Sequence, residues 1–213
     1  MKELKSFVVI TRFNEQYNWI KKYTDNYIVY NKGEDVPDDP KVLNVPNIGG
    51  NQRDIFHFAF TNYEKLPELT AFIQANPFDH CLQEEFEDLL YREEFTCIQY
   101  YCHVPTESWS RRGDDGGYEE AYGITQGIGS RGNCKYKSLD DFMNKYFSNY
   151  VHKDWIKFAT GSQYIVERKQ ILKYPRLFWE NMMNELNENF MLEAHIIERS
   201  LYYIFTENLK LNG

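Results

Sequence analysis

T-A-F-I-Q-A-N-P-F-D-H, residues Thr70 to His80, is an apolar run that stops at an amide, a carboxylate and an imidazole. The run Thr70 to Ala75 reads as a strand, and Asn76-Pro77 as the turn that ends it. Upstream, F-V-V-I-T-R-F-N-E (Phe7 to Glu15) makes the same change from apolar strand to Arg12, Asn14 and Glu15. In an open α/β sheet the ligand crevice lies outside the carboxyl ends of the strands. Two strands that end in polar groups therefore predict one shared cleft.

Working outward, N-Y-I-V-Y before N-K-G and K-V-L-N-V-P-N read as further short strands. Glu15 to Asp25 carries Trp19, Ile20 and Tyr23 at helical spacing, which predicts a β-α-β start and a parallel sheet. Asn51 to Tyr63 sets Ile55, Phe58, Ala59 and Asn62 on one helical face, ahead of the strand from Thr70. Between Pro77 and Tyr101 the pattern is helical, with Leu82, Phe86, Leu89 and Leu90 opposite a solvated face of Glu84, Glu85, Glu87 and Asp88. Pro105 to Lys137 shows neither period and is expected to be a long loop of the kind that covers a site. Ser138 then caps a helix that carries Phe142, Tyr146 and Phe147 inward. Phe158 to Arg168 reads as a strand containing a glycine, and two more helical stretches follow, the last from E-A-H-I-I-E-R onward.

The expected fold class is thus α/β, with a mostly parallel central sheet flanked by helices, a loop-rich insert and a helical C-terminus. The whole chain, 1–213, is expected to be one domain, with a first half (1–103), the insert (104–137) and a closing half (138–213). A hydrophobic share of 42% and a charged share of 26% suit a folded chain rather than a disordered one. The formal net charge of −8 leaves no basic footprint for duplex nucleic acid. Cys81, Cys97, Cys102 and Cys134 form no C-x-x-C pair, so reduced core thiols are expected rather than a structural zinc site. The first apolar segment is short and runs into charge, which predicts no secretory signal, no membrane span and a cytoplasmic location.

The blocks V-I-T-R-F-N-E, Y-N-K-G, V-P-N-I-G-G, N-Y-E-K-L-P, F-I-Q-A-N-P-F-D-H, G-S-Q-Y-I-V and I-I-E-R-S-L-Y-Y-I-F occur in an order that resembles a small glycosyltransferase-like family, domain of unknown function 3431. The likeness covers nearly the whole chain. That family looks like a compact relative of the GT-A nucleotide-sugar transferases. The resemblance implies a Rossmann-like sheet, a nucleoside-diphosphate sugar donor, a hydroxyl acceptor (a glycan, a small molecule or a modified nucleic acid) and a divalent cation, Mn²⁺ or Mg²⁺. A fold of this kind that keeps its cleft but has lost the reaction would instead be a nucleotide-sugar-binding module. Transfer to modified bases of nucleic acid is a third reading, which the acidic balance does not favour.

Sugar transfer builds negative charge on the leaving diphosphate, which hard-ligand cations neutralise through one or two carboxylates. Asp79 is the expected metal ligand. GT-A enzymes carry D-x-D after the equivalent strand, whereas this chain has Asn76, Asp79 and His80. His80 then either supplies a nitrogen ligand, which suits Mn²⁺ better than Mg²⁺, or bonds a phosphate oxygen. Arg12, Asn14 and Glu15 are expected at the nucleotide; the bland alternative is an Arg12–Glu15 surface pair with Asn14 as a helix cap. Asn47, Gly49, Arg53 and Asp54 are expected to reach the nucleotide or its sugar, because glycines let backbone approach a ligand. Asn76, Gly161, Gln163 and Arg199 complete the expected substrate-binding set. Glu198 is the expected general base, with His195 and Glu193 as substitutes, unless Arg199 simply pairs with Glu198 inside a buried helix. Arg111, Arg112 and Arg131 are either lid residues that reach the diphosphate or solubilising loop charges.

Overall fold

In the computed structural model of the chain, which describes residues 3–36, 39–99, 109–113, 118–188 and 192–213, the sheet is built on β1 (Phe7–Arg12). Val8 and Ile10 enter one apolar layer and Val9 the other, as in a strand covered on both faces. A single 3₁₀ turn, Asn18–Lys22, leads to β2 (Tyr27–Asn31), parallel to β1. The α-helix expected between Glu15 and Asp25 is therefore one short turn. Only Ile20 of that turn is fully buried, and Trp19 and Tyr23 pack edge-on against Phe86, so one turn brings every apolar side chain to the sheet.

The parallel set continues with β3 (Val42–Asn44); helix α1 (Gly50–Thr61) then crosses to β4 (Leu69–Gln74), which pairs with the opposite side of β1. Winding therefore reverses between β1 and β4, and that reversal opens a crevice at their carboxyl ends. Helix α2 (Gln83–Leu90) buries Phe86 and Leu90 on the face already covered by the 3₁₀ turn, and β5 (Thr96–Cys97) follows.

Within 104–137, expected to be loop, the structure has β6 (Ser110–Arg112), β7 (Tyr118–Ala121) and helix α3 (Tyr122–Gly129). The apolar pattern of β7 is hidden because one of its inward residues is Glu120, 2% exposed. That of α3 is diluted by Gly123, Gly127 and Gly129. The last of these is forced by packing, since a Cβ there would lie 2.2 Å from Lys137 O. Residues 104–108 and 114–117 of the expected insert, together with Cys102 and the side chain of Arg112, lie outside the described residues.

Helix α4 (Leu139–Tyr146) starts at Ser138, whose Oγ accepts from the Asp141 N–H (3.1 Å). The strand expected over Phe158 to Arg168 is interrupted. After β8 (Trp155–Lys157), a 3₁₀ turn at Thr160–Ser162 precedes β9 (Tyr164–Glu167), because Gly161 takes φ +71°. Helices α5 (Arg168–Ile171), α6 (Arg176–Asn184) and α7 (Leu192–Thr206) complete the chain. Among the described residues the large sheet has the order β3-β2-β1-β4-β9-β5, with β9 antiparallel to both neighbours, and β6-β7-β8 form a small antiparallel sheet. Helices α1, α4, α6 and α7 fill the larger apolar layer around Trp179, Phe142 and Phe205. No described helix is long and apolar enough to cross a membrane.

A polar cluster ties this layer together. Glu185 caps the carboxyl end of α6, where a carboxylate meets the unfavourable end of the helix dipole. Burial would also raise its carboxyl. Lys135, Lys145, Tyr136 and Tyr146 all donate to it and outweigh both effects, holding it down at about 2. Glu185→Gln is expected to lower unfolding stability at pH 7 by about 2 kcal/mol, discounted because both lysines are half exposed. The folded carboxyl lies below its ordinary value of 4.5, so the benefit is complete above that pH and fades as pH falls towards 2. Urea titrations of the two proteins should converge over that interval. Equal stability at neutral pH would mean the cluster contributes nothing.

Candidate functional site

The carboxyl ends of β1 and β4 and the start of α1 enclose two adjoining chambers. The smaller, about 330 Å³, is lined by Thr11, Arg12, Lys32, Asn76 and Asp79. The larger, about 550 Å³, lies between the start of α1, the 160–162 turn and α7, and is lined by His80, Thr160, Gly161, His195, Glu198 and Arg199. Asn47, Gly50, Asn51 and Gln74 line both. Arg12, Asp79 and Glu198, expected around one hollow, thus occupy two contiguous ones.

The shared wall is shaped by Gly49 and Gly50, both left-handed at φ +66° and +60°. A Cβ on Gly49 would lie 2.7 Å from Leu186 O, so no larger residue fits where the loop meets the end of α6. Lys32 fixes this loop from beneath. Its ammonium donates to Ile48 O (2.9 Å) and Gly50 O and pairs with Asp54 Oδ1 at 3.1 Å. Thr11 Oγ1 donates to Asp54 Oδ2 (2.8 Å), which ties β1 to the same point. Burial pulls the Lys32 ammonium down and pushes the Asp54 carboxyl up to about 6, each opposed by the partner's charge.

In the larger chamber the 160–162 turn carries two successive left-handed residues, Gly161 and Ser162 (φ +55°). For serine this conformation costs on the order of 1 kcal/mol and persists only where its surroundings impose it. Here Asn51 Nδ2 donates to Gly161 O (3.0 Å) and Gln52 Nε2 to Ser162 Oγ (2.9 Å). The turn directs the Gly161 N–H onto Glu198 Oε1 at 2.7 Å. Burial raises the Glu198 carboxyl to about 7, in spite of Arg199 and the backbone N–H groups. Arg199 gives limited relief because it is already committed. Its Nε and Nη2 grip Glu120 in a fork, the second contact at 2.9 Å, and its plane lies over Phe158. Thr125 Oγ1 (2.7 Å) and Tyr118 OH (3.3 Å) also donate to Glu120. Burial lowers both His80 and His195.

Several expected ligand-facing residues serve the fold instead. Asp54 is 2% exposed and turned towards Lys32. Arg53 lines neither chamber; its Nε is buried. Asn14 also lines neither, and its Oδ1 accepts the Glu34 N–H (2.8 Å) to join the loops after β1 and β2. Gln163 is fully buried, donating to Pro77 O (3.2 Å) and Ile98 O (3.4 Å) and accepting the Gln74 N–H (3.2 Å). Glu193 accepts the Lys135 N–H (2.6 Å) away from both chambers. Arg199 lines the larger chamber, but its charge is held by Glu120 rather than by the Glu198 pairing expected, which is a 3.5 Å contact. Arg111 pairs with Glu119 (2.7 Å) over Trp155 on the small sheet and is not placed as a lid residue.

Arg12 lines the smaller chamber while its guanidinium braces surrounding loops through Asn31, Glu15 O (2.9 Å) and Glu34 O (3.2 Å). Glu15 folds back on the Phe13 N–H (2.7 Å), so the surface Arg12–Glu15 pair is replaced by local loop bonds. Asp79 and His80 part company, Asp79 facing the smaller chamber and His80 the larger. Among the described residues no three His, Cys, Asp or Glu side chains converge on one point. Asp79, steadied by Asn76 Nδ2 at 2.8 Å, still suits a Mg²⁺-like ion that takes one protein carboxylate and completes its shell with phosphate and water. Glu120, Lys32, Gln74 and Asn51 were not singled out from the sequence. Lys32 directly follows the apolar strand β2, the one signal that could have marked it, whereas Glu120 shares β7 with a second glutamate and had none.

A family described as "Protein of unknown function (DUF3431)" matches residues 7–211, and the chain belongs to that family. No curated protein and no solved structure matches the chain.

Burial of the Glu198 carboxylate carries a stability consequence. Its folded value of about 7 lies above the ordinary 4.5, so the penalty is absent below pH 4.5 and complete above pH 7. Glu198→Gln, which keeps shape without charge, should therefore be the more stable protein at pH 8 by about 2–3 kcal/mol and equal to wild type at pH 4. Melting curves across that range check this. A variant less stable at pH 8 would make Glu198 an anchor of the fold rather than a strained site group.

Proposed function

We propose that this member of the DUF3431 family is a glycosyltransferase of GT-A-like architecture, which moves a sugar from a nucleoside-diphosphate donor to a hydroxyl acceptor. The observation that carries the reading is Glu198: a carboxylate set near neutrality in the wall of a chamber of about 550 Å³, which opens into a second chamber at the switch point of a parallel sheet. The smaller chamber suits the diphosphate, with the Arg12 charge at its rim and Asp79 available to a divalent ion. Such an ion, Mn²⁺ or Mg²⁺ on Asp79, would neutralise charge on the leaving diphosphate. His80 opens on the other chamber and so is left out of that ligand set.

Glu198 then acts as the base. Its carboxylate takes the proton of the acceptor hydroxyl as that oxygen bonds to the anomeric carbon and the bond from that carbon to the diphosphate breaks, releasing the nucleoside diphosphate. A base near 7 is half ionised at neutral pH, which combines availability with proton affinity. The Gly161 N–H fixes Oε1, and Oε2, whose contact with Arg199 Nη1 is a long 3.5 Å, is the oxygen that takes the acceptor proton. His195, on the same helix and chamber, is placed to orient the acceptor.

A thermal-shift series with nucleotide sugars, with and without Mn²⁺, tests this. A donor at one hundred times its dissociation constant stabilises by about 2.7 kcal/mol. Mn²⁺ should add to the shift, and Asp79→Ala should remove that addition. Glu198→Gln should keep donor affinity while turnover falls by roughly two to four orders of magnitude. Binding without turnover in wild type would leave a nucleotide-sugar-binding module. Full activity of Glu198→Gln would move the base elsewhere, and no shift with any nucleotide sugar would end the reading.

A further inference from the structure

We propose that the larger chamber is built to take the uncharged sugar of the donor and to reject a carboxylated one, an inference that rests on the sugar-nucleotide reading above. Among the described residues, the side chains lining the chamber that carry or can take a charge near neutral pH are His80, His195, Glu198 and Arg199. Arg199 is the only fixed cation among them, and it is not free to meet a ligand anion. Nε and Nη2 are taken by Glu120, Nη1 donates to His195 O (2.9 Å), and Phe158 covers its plane. Counting Glu120 behind it, one guanidinium faces two carboxylates. Burial favours the neutral form of the His195 imidazole. Arg131 lies close enough to act on His195 but is exposed and does not line the chamber.

The rest of the described lining is neutral. The amides of Asn47, Asn51 and Gln74 offer donors and acceptors together, and the Thr160 hydroxyl, which donates to Gln99 Oε1 (3.2 Å), offers an acceptor, the pattern that pairs with hydroxyl groups. Tyr118 and Phe158, packed edge-on at 5.1 Å, give the chamber an apolar surface for the C–H face of a sugar ring. A uronate carboxylate placed here would lose its water beside Glu198 with no free cation among the described lining residues to replace it, which is costly in a low-dielectric site. Because the chamber shares Asn47, Gly50, Asn51 and Gln74 with the smaller one, the group attached directly to the diphosphate is the one that reaches it.

Calorimetric titration of the full chain with UDP, UDP-glucose and UDP-glucuronate, and with GDP, GDP-mannose and GDP-mannuronate, tests the inference. For the nucleotide that binds, the neutral sugar should bind at least about tenfold more tightly than its uronate. A uronate that binds as tightly or more tightly overturns the inference while leaving the sugar-nucleotide reading intact. Failure of all six ligands removes that reading, and this inference with it. Glu120→Gln, which releases Arg199, should narrow the gap between the pair, and Glu198→Gln should narrow it by removing the like charge. If Glu120→Gln does not fold, the wild type and Glu198→Gln decide the matter; an unchanged gap in Glu198→Gln overturns the electrostatic cause.

Discussion

Lys32 stands at the end of β2 with its ammonium out of water, spending its donors on Ile48 O, Gly50 O and Asp54. An ammonium can be buried this way only if each donor finds a partner, and here the partners belong to different elements: the loop before α1 and, through Asp54 and Thr11, α1 itself and β1. That loop supplies Asn47, and the first turn of α1 Gly50 and Asn51, to both chambers. Desolvation has pushed the two ionisable groups towards each other, so the pair contributes little net stability as a unit, but loss of one partner would strand the other. Its effect is to set where the loop sits, and thereby the wall on which the site is built.

Around Glu198 the same logic runs in the opposite direction. The carboxylate has backbone N–H groups and a guanidinium at 3.5 Å that is shared with Glu120 instead of a full counter-ion, so it stays near neutrality rather than being driven low as Glu185 is. The contrast lies in the partners: Glu185 has two ammonium groups and two phenols, whereas Glu198 has a glycine N–H and an arginine already engaged. A left-handed serine, an unneutralised carboxylate and a glycine with no room for a side chain fall within one turn and the helix facing it. Concentrated strain of this kind marks a place where the fold holds a geometry that does not favour its own stability.

Strands β1 to β4, α1 and the C-terminal helices are legible in the sequence because their apolar residues recur at the right period. So is the cleft, since Arg12, Asn76, Asp79 and Glu198 all reach it. The misreadings share a cause. Asp54, Gln163 and Glu193 are polar residues near glycines and strand ends, and sequence alone does not distinguish a side chain aimed at a ligand from one that satisfies a buried loop. The small sheet went unread because β7 turns a glutamate inward, where periodicity expects an apolar residue. That glutamate makes sense only with Arg199, which lies 79 positions away in the chain.

Glu198 and Arg199 are neighbours on α7, and residues one apart on an α-helix point about 100° apart. One therefore faces the cleft while the other reaches across to Glu120 on β7. The fork that Arg199 makes fixes the rotation of the helix about its own axis, because a bidentate contact tolerates little angular change. Rotation of α7 is also what would carry Glu198 off the Gly161 N–H. The small sheet, with no strand in the main one, thus helps to set the orientation of the carboxylate, through the Glu120–Arg199 pair and through Tyr203, whose OH accepts the Lys157 N–H of β8 (2.8 Å), and the inward glutamate that hid β7 in the sequence is part of the means by which it does so.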